Sequence, residues 1–379
     1  MNNVFGYLRE YGTMTFREKP FCDVDSLLLS QFCYLKLEGL VPKLKENGKA
    51  VGIDELTAHP DREKLFADTR FEKNNRRLFE LMASSVRFSS MKMNYFVDIV
   101  DKDIETQFSA VTFFLEGARP YIAFRGTDET IVGWKEDFCM AFRGSIPSQD
   151  YSVVYVTQIA DRISGKFYIG GHSKGGNLAV YAGLFCMEEV AERILCFYSF
   201  DGPGFRPEVL QRERYPQILP RIRKFVPQSS VIGMVLQTQE RYRVVKSKAA
   251  GLLQHDPFTW LIRDGKFVRS DSLYKGRKIL DHAMNEWIMS LSDEQMVRFV
   301  EDLFDLTKAA EVEDLVIFEQ DRKKNIKALL EAYKEMDAKE KKFMGKLLGK
   351  LFRYAFQGEA GKRENKIAQK EQNAENQIS

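Results

Sequence analysis

The chain has 379 residues, 44% of them hydrophobic and 29% charged, with a formal net charge of only +3. That is the balance of a soluble globular protein, and it gives no bulk electrostatic case for nucleic-acid binding. No apolar run approaches the ~18 residues of a membrane span, and the start, MNNVFGYLREYG, lacks the basic and apolar regions of a signal peptide. Five scattered cysteines (22, 33, 139, 186 and 196) carry no C-x-x-C spacing. They read as reduced thiols in a cytoplasmic protein. None of the four histidines pairs with a cysteine at ligand spacing, so neither a metal site nor a cofactor is expected.

Residues 1 to about 90 read as mostly helical. Asp25 to Tyr34 carries apolar residues on a helical repeat, with Asp23 or Asp25 as its cap. Asn75 to Ser84 places Leu78, Phe79 and Met82 on one side of a second helix. His59, before Pro60, reads as a loop histidine.

The period changes near residue 91. Tyr95 to Val100, Phe108 to Leu115 and Tyr121 to Phe124 read as strands. The last two form a hairpin ending in Arg125, Gly126, Thr127 and Asp128. A helix is expected over Ser148 to Ser164, a strand over Lys166 to Ile169 and a helix over Lys174 to Val190. Ile194 to Phe200, Ile222 to Val226 and Tyr242 to Val245 complete the strands. Such alternation predicts an α/β fold, a mainly parallel sheet flanked by helices with helical extensions at both ends. Sites in such sheets lie beyond the carboxyl ends of the strands. Ser173, Asp201 and the turn 125–128 fall at such ends.

The expected division is a helical region 1–90, an α/β core 91–271, a helical region 272–357 and a disordered tail 358–379 without apolar patterning. Ser292 to Gln295 is a capping box. Lys334 to Arg353 holds seven basic and three acidic residues, with Phe343, Leu347, Leu351 and Tyr354 on one face. It reads either as a membrane-surface helix or as a terminal helix docked on its own domain.

The stretch YIGGHSKGGNLAVY, from Tyr168 to Tyr181, carries the chemistry. An apolar run meets a glycine turn with Ser173 at the apex, and a helix pattern follows. This is the G-x-S-x-G pattern of a nucleophile elbow. A phosphate-binding turn is the rival for these glycines, but neither the phosphate-loop nor the dinucleotide spacing fits.

A serine nucleophile needs a base, a group to orient the base, and donors for the oxyanion. His255 lies downstream in a loop after the last strand, as the order Ser…Asp/Glu…His requires. His172 adjoins the serine, and its side chain is expected to point away. His282 lies in a helix-like segment. Asp201 is the favoured acid, since Asp256 adjoins the base and the loop after Val226 has only Gln228, Ser229 and Ser230. The N–H of Lys174 is one oxyanion donor, and Thr127 can offer its N–H and hydroxyl. Arg125 is expected to anchor that loop by pairing with a carboxylate such as Asp137.

Two motifs carry a resemblance. AFRGTDETIVGWKEDF, Ala123 to Phe138, resembles the strand and oxyanion loop of class 3 (fungal-type) lipases, where F-R-G-[ST] precedes W-x-x-D. GGHSKGGNLAVYAG is similar to that family's G-H-S-L-G-G-A-L-A elbow, with lysine replacing leucine. The resemblance implies an α/β-hydrolase fold, a Ser-Asp-His triad, Thr127 as oxyanion donor and an Arg125–Asp137 pair. The family's acid aligns with Pro227 to Ile232, where this chain has no carboxylate. Either Asp201 substitutes for it or a neutral residue such as Ser230 supports a dyad. FDGPGF and QHDPF also resemble segments of bacterial lipase-like proteins, which implies the bacterial cytoplasm. The expected function is a serine ester hydrolase acting on a lipid or smaller ester. The alternative is a catalytically weak scaffold that binds membranes or proteins through the basic C-terminal helix.

Overall fold

Short β-branched and aromatic runs separated by helical segments fold here into a large mixed sheet flanked by helices. The computed structural model describes residues 2–354 except 47, 68, 70, 102, 105, 128–135, 138, 141–144, 237–239, 275–276, 310–321 and 352. Asp128, much of the segment after it and the tail from 358 lie outside the described residues. The chain divides into two units, Met1–Ser272 and Leu273–Ser379.

In the first unit the strands are β1 (Val51–Gly52), β2 (Lys92–Asp101), β3 (Thr106–Phe114), β4 (Tyr121–Phe124), β5 (Phe167–His172), β6 (Ile194–Phe200), β7 (Ile222–Pro227), β8 (Tyr242–Val245), β9 (Ile262–Arg263), β10 (Lys266–Phe267) and β11 (Arg269–Ser270). The main sheet runs β1-β2-β3-β4-β5-β6-β7-β8-β11, and β9 pairs with β10 apart from it. β4 to β8 are mutually parallel, while β1, β2, β3 and β11 join antiparallel. All four residues of β4 are buried, as are most of β6. A strand covered on both faces reads as a continuous apolar run, and that is why these two stand out in the sequence.

Helix Pro147–Arg162 joins β4 to β5, and helix Lys174–Phe185 leaves β5. The expected helix to Val190 stops earlier. Cys186 takes an extended backbone with ψ 169°, and a separate helix, Glu188–Arg193, begins with two glutamates in its first turn. These helices cover one face of the sheet through Leu178, Ala182 and Val156.

The other face is covered by the N-terminal helices. Helix Asp23–Phe32 is buried all round. Its Ser26 and Ser30 hydroxyls each lie 2.8 Å from the Tyr121 hydroxyl of β4. Neither expected aspartate is its N-cap. Cys22 holds that place, and Asp25 reaches back to accept its N–H at 2.9 Å. The Asp25 carboxylate also pairs with Arg87 at 2.6 Å, both side chains wholly buried. Breaking such a pair costs about 3–5 kcal/mol, because a charge is left buried alone. The N-terminal region is thus fixed to the sheet, and it delivers Gln31, Tyr34 and Phe71 to the strand ends.

The second unit contains helices Arg277–Met289, Asp293–Ala309 and Arg322–Glu335, with further helical residues at 338–351. Ser292 and Gln295 cap each other as their spacing requires. Leu347 is buried, Trp287 donates its indole N–H to the Leu347 carbonyl at 2.8 Å, and Arg298 lies over the Phe343 ring at 4.4 Å. No helix among the described residues is long and apolar enough to cross a membrane.

Candidate active site

The elbow is set by backbone sterics. Ser173 stands between β5 and its helix with φ 57° and ψ −133°. Its N–H donates to Phe200 O of β6 at 2.9 Å. A Cβ on Gly171 would lie 2.4 Å from the Gly175 carbonyl carbon, and one on Gly175 would lie 2.1 Å from Phe124 O. Backbone cannot yield at those distances, so both positions around Ser173 require glycine.

His255 ends a short 3-10 turn, Gly251–His255. Its Nδ1 lies 2.6 Å from Asp201 Oδ2. Asp201 ends β6 in a left-handed conformation, φ 51°, with its N–H donated to Phe225 O at 2.7 Å. The carboxylate is wholly buried, and its Oδ1 accepts the Ser230 hydroxyl at 2.5 Å. Ser230, Asp201 and His255 therefore stand in series. The serine of the β7 loop, where the resembled family carries its acid, supports a carboxylate that comes from the neighbouring strand. An Nδ1–H facing a carboxylate leaves Nε2 as the bare acceptor, the tautomer a general base needs. Asp256 is occupied elsewhere, accepting the Phe258 N–H at 2.9 Å. His59 accepts the Asp61 N–H in its loop, as expected of a turn histidine.

His172 departs from expectation. Its ring does not point away but lies against His255, centroids 4.5 Å apart and planes tilted by 35°. Its Nε2–H donates to the His255 carbonyl at 2.9 Å, and its Nδ1 lies 3.2 Å from the Tyr34 hydroxyl. The last residue of β5 thus braces the base loop from below. No periodicity marks such a contact, because its partner is 83 residues away.

On the other side of Ser173 the expected ion pair is also corrected. Arg125 does not pair with Asp137. It pairs in a bidentate fork with Asp98 of β2, at 2.8 and 3.2 Å. Asp98 lies two strands across from β4, beyond β3, so sequence proximity misled. Asp137 instead accepts the Thr127 hydroxyl at 2.5 Å. That commits the hydroxyl proton and leaves the Thr127 N–H as the only donor the residue could offer to a bound group. Burial pushes the Asp137 carboxyl up to about 6, against the pull of Lys174 and Thr127. Lys174 is buried, with Nζ 2.7 Å from Glu136 Oε2 and donating to Gln107 O at 2.9 Å. Burial alone would raise Glu136, but Lys174 and the hydroxyls of Ser148 and Thr106 hold it below the ordinary glutamate range.

These groups meet at one cavity of about 20 Å³, walled by Ser173, His255, His172, Thr127, Asp137 and the N-terminal Tyr34 and Phe71 among others. Ser173 and His255 share that wall, and among the described residues no hydrogen bond joins the Ser173 hydroxyl to His255. Asp201 stands behind His255, Lys174 is buried behind the oxyanion side, and Arg125 anchors the Thr127 strand end. The side chain of His282 lies outside the described residues. Sequence reasoning missed Glu136, His172 and Tyr34. A lysine in place of leucine after the serine was the one available signal for Glu136, since a buried lysine needs an acid.

A family model described as Mbeg1-like matches residues 82–305, more than half of the chain. No curated protein and no solved structure matches. The match spans Thr127, Ser173, Asp201 and His255, and the chain belongs to the Mbeg1-like family, a family linked to lipase-like proteins.

Proposed function

We propose that the protein is a serine ester hydrolase on an α/β-hydrolase-like core, acting in the bacterial cytoplasm that its resemblance implies. Ser173 attacks the acyl carbonyl while His255 Nε2 takes its proton. Asp201 orients His255 and stabilises the imidazolium, with Ser230 behind it. The N–H groups of Lys174 and Thr127 hold the oxyanion. His255 then returns the proton to the leaving alcohol; water, deprotonated by His255, attacks the acyl-enzyme, and His255 passes that proton to the departing Ser173 Oγ, releasing the acid and the free enzyme. The observation that carries this reading is the 2.6 Å contact of His255 with Asp201 at the wall of the cavity that also holds Ser173.

A cavity of 20 Å³ has room for about one water. Labelling with a fluorophosphonate tests the reading. Wild type is expected to label, and Ser173→Ala and His255→Ala are not. A folded wild type that reacts no faster than Ser173→Ala would end the enzyme reading. A second reading, peripheral contact with anionic membranes through Lys334–Arg353, is favoured by the exposed Lys334, Lys339, Lys342 and Lys346. Equal retention on anionic vesicles with and without residues 334–379 would remove it.

A further inference from the structure

The proposed mechanism uses the backbone of Lys174 but leaves its side chain without a role. A buried ammonium is costly unless it is paired and hydrogen-bonded. Here the compensation is thorough. Glu136 Oε2 accepts from Lys174 Nζ at 2.7 Å and from the Gln107 N–H at 3.0 Å. Oε1 accepts from Thr106 Oγ1 at 2.6 Å, Ser148 Oγ at 2.5 Å and Ser148 N at 3.1 Å. One carboxylate thereby ties the first residue of the elbow helix to the start of β3 and to the first turn of helix Pro147–Arg162.

The next residue, Asp137, completes a line. It accepts the Thr127 hydroxyl at 2.5 Å, and its Oδ1 lies 3.9 Å from Lys174 Nζ. The two oxyanion donors proposed above, the N–H groups of Lys174 and Thr127, belong to residues at opposite ends of this chain of contacts. Lys174 bears one donor and holds, through residues 136 and 137, the residue that bears the other.

We infer that the buried Lys174–Glu136 pair is a positioning device that sets the spacing of the two oxyanion donors. The inference rests on the hydrolase reading and deepens it. Lys174 and Glu136 are positioning residues through their side chains, acting on the backbone donors rather than on substrate. Displacing a catalytic group by about 1 Å can cost about a hundredfold in rate, so loosening the pair should lower turnover with little effect on substrate affinity.

The full-length chain serves for the test, with p-nitrophenyl acetate hydrolysis, fluorophosphonate labelling and the thermal midpoint measured together. Glu136→Gln keeps shape but removes charge. Its kcat is expected to fall tenfold to a hundredfold with KM within about twofold. The double variant Lys174→Met/Glu136→Met removes both charges and is expected to melt near wild type, as apolar replacements of buried pairs often do, while keeping the reduced kcat. A double variant that both melts and turns over like wild type would overturn the inference, because the pair would then serve the fold alone. Should the double variant not fold, Glu136→Gln decides: a folded protein with wild-type kcat overturns the inference, and one with lowered kcat and unchanged KM supports it. A wild type that neither labels nor turns over ends the hydrolase reading and this inference with it. Labelled wild type with unaffected variants ends only this inference.

Discussion

The two sides of Ser173 are built from similar residue types arranged for opposite purposes. On one side His255 and Asp201 form an acid–base pair with few supports, the histidine 13% exposed at the cavity and the carboxylate 1%. It is drawn from the ends of β6 and β7 and the loop after β8. On the other side Lys174, Glu136 and Arg125 form ion pairs of which these members are at most 3% exposed. The difference follows from what each side would do in the hydrolase proposed above. A general base must gain and lose a proton in every turnover, so its ring needs access to the reacting group. Oxyanion donors act by staying still, because preorganised dipoles cost no reorganisation at the moment of reaction. Buried ion pairs suit the second task and would defeat the first.

The comparison breaks most visibly at Asp201. Asp201→Asn is expected to lower kcat by three to four orders of magnitude, because a neutral amide cannot stabilise the imidazolium and can donate its own N–H to Nδ1, fixing the wrong tautomer. Wild-type kcat in a folded Asp201→Asn protein would remove the acid from the scheme. On the static side, Arg125→Met leaves the Asp98 carboxylate without its fork. Unfolding in urea should show a loss of about 2–3 kcal/mol, while labelling per folded molecule changes much less. A labelling defect as deep as that of Asp201→Asn would erase the distinction between the two sides. Ser230→Ala tests the support of the support. Losing one hydrogen bond to a charged acceptor is worth about 1.5 kcal/mol, or roughly tenfold in kcat. An unchanged kcat would make Ser230 a bystander.

The same division explains what the sequence discloses. The elbow at Ser173 and most of the long strands were readable because elbow glycines and buried strands leave local patterns: Gly171 and Gly175 answer to backbone contacts, and β4 and β6 to burial on two faces. Asp201 and His255 were readable as candidates from chain order, but their pairing depends on where β6, β7 and the loop after β8 end in space. The ion pairs were the least readable. Arg125 chose Asp98 across the sheet over Asp137 in its own loop, and Lys174 chose Glu136, 38 residues back. Charge pairing is settled by the fold and leaves no period in the chain. The N-terminal region read as helical, yet nothing in it announced that Tyr34 and Phe71 would wall the cavity.

Asp137 sharpens the contrast, since it is a carboxyl on the static side that titrates near neutrality. Burial raises it to about 6 from an ordinary value of 3.8, and Glu136 beside it adds to the rise. A folded pKa above the unfolded one means that the group favours the fold fully below about 4. That contribution is lost as pH rises through about 6. Asp137→Asn cannot ionise and should not show this loss. Relative to the variant, wild type should therefore be most stable near pH 4 and lose roughly 1 kcal/mol between there and pH 7.5. The full shift would be worth more at about 1.4 kcal/mol per unit, but the side chain is 19% exposed and solvent screens part of it. Urea unfolding of both proteins at the two pH values measures the difference directly. A gap that stays constant, or grows in favour of wild type as pH rises, would mean that the Thr127 hydrogen bond holds Asp137 ionised throughout. Asp137 would then not change its charge on folding in this range, and the static side would be held by ion pairs that pH leaves intact.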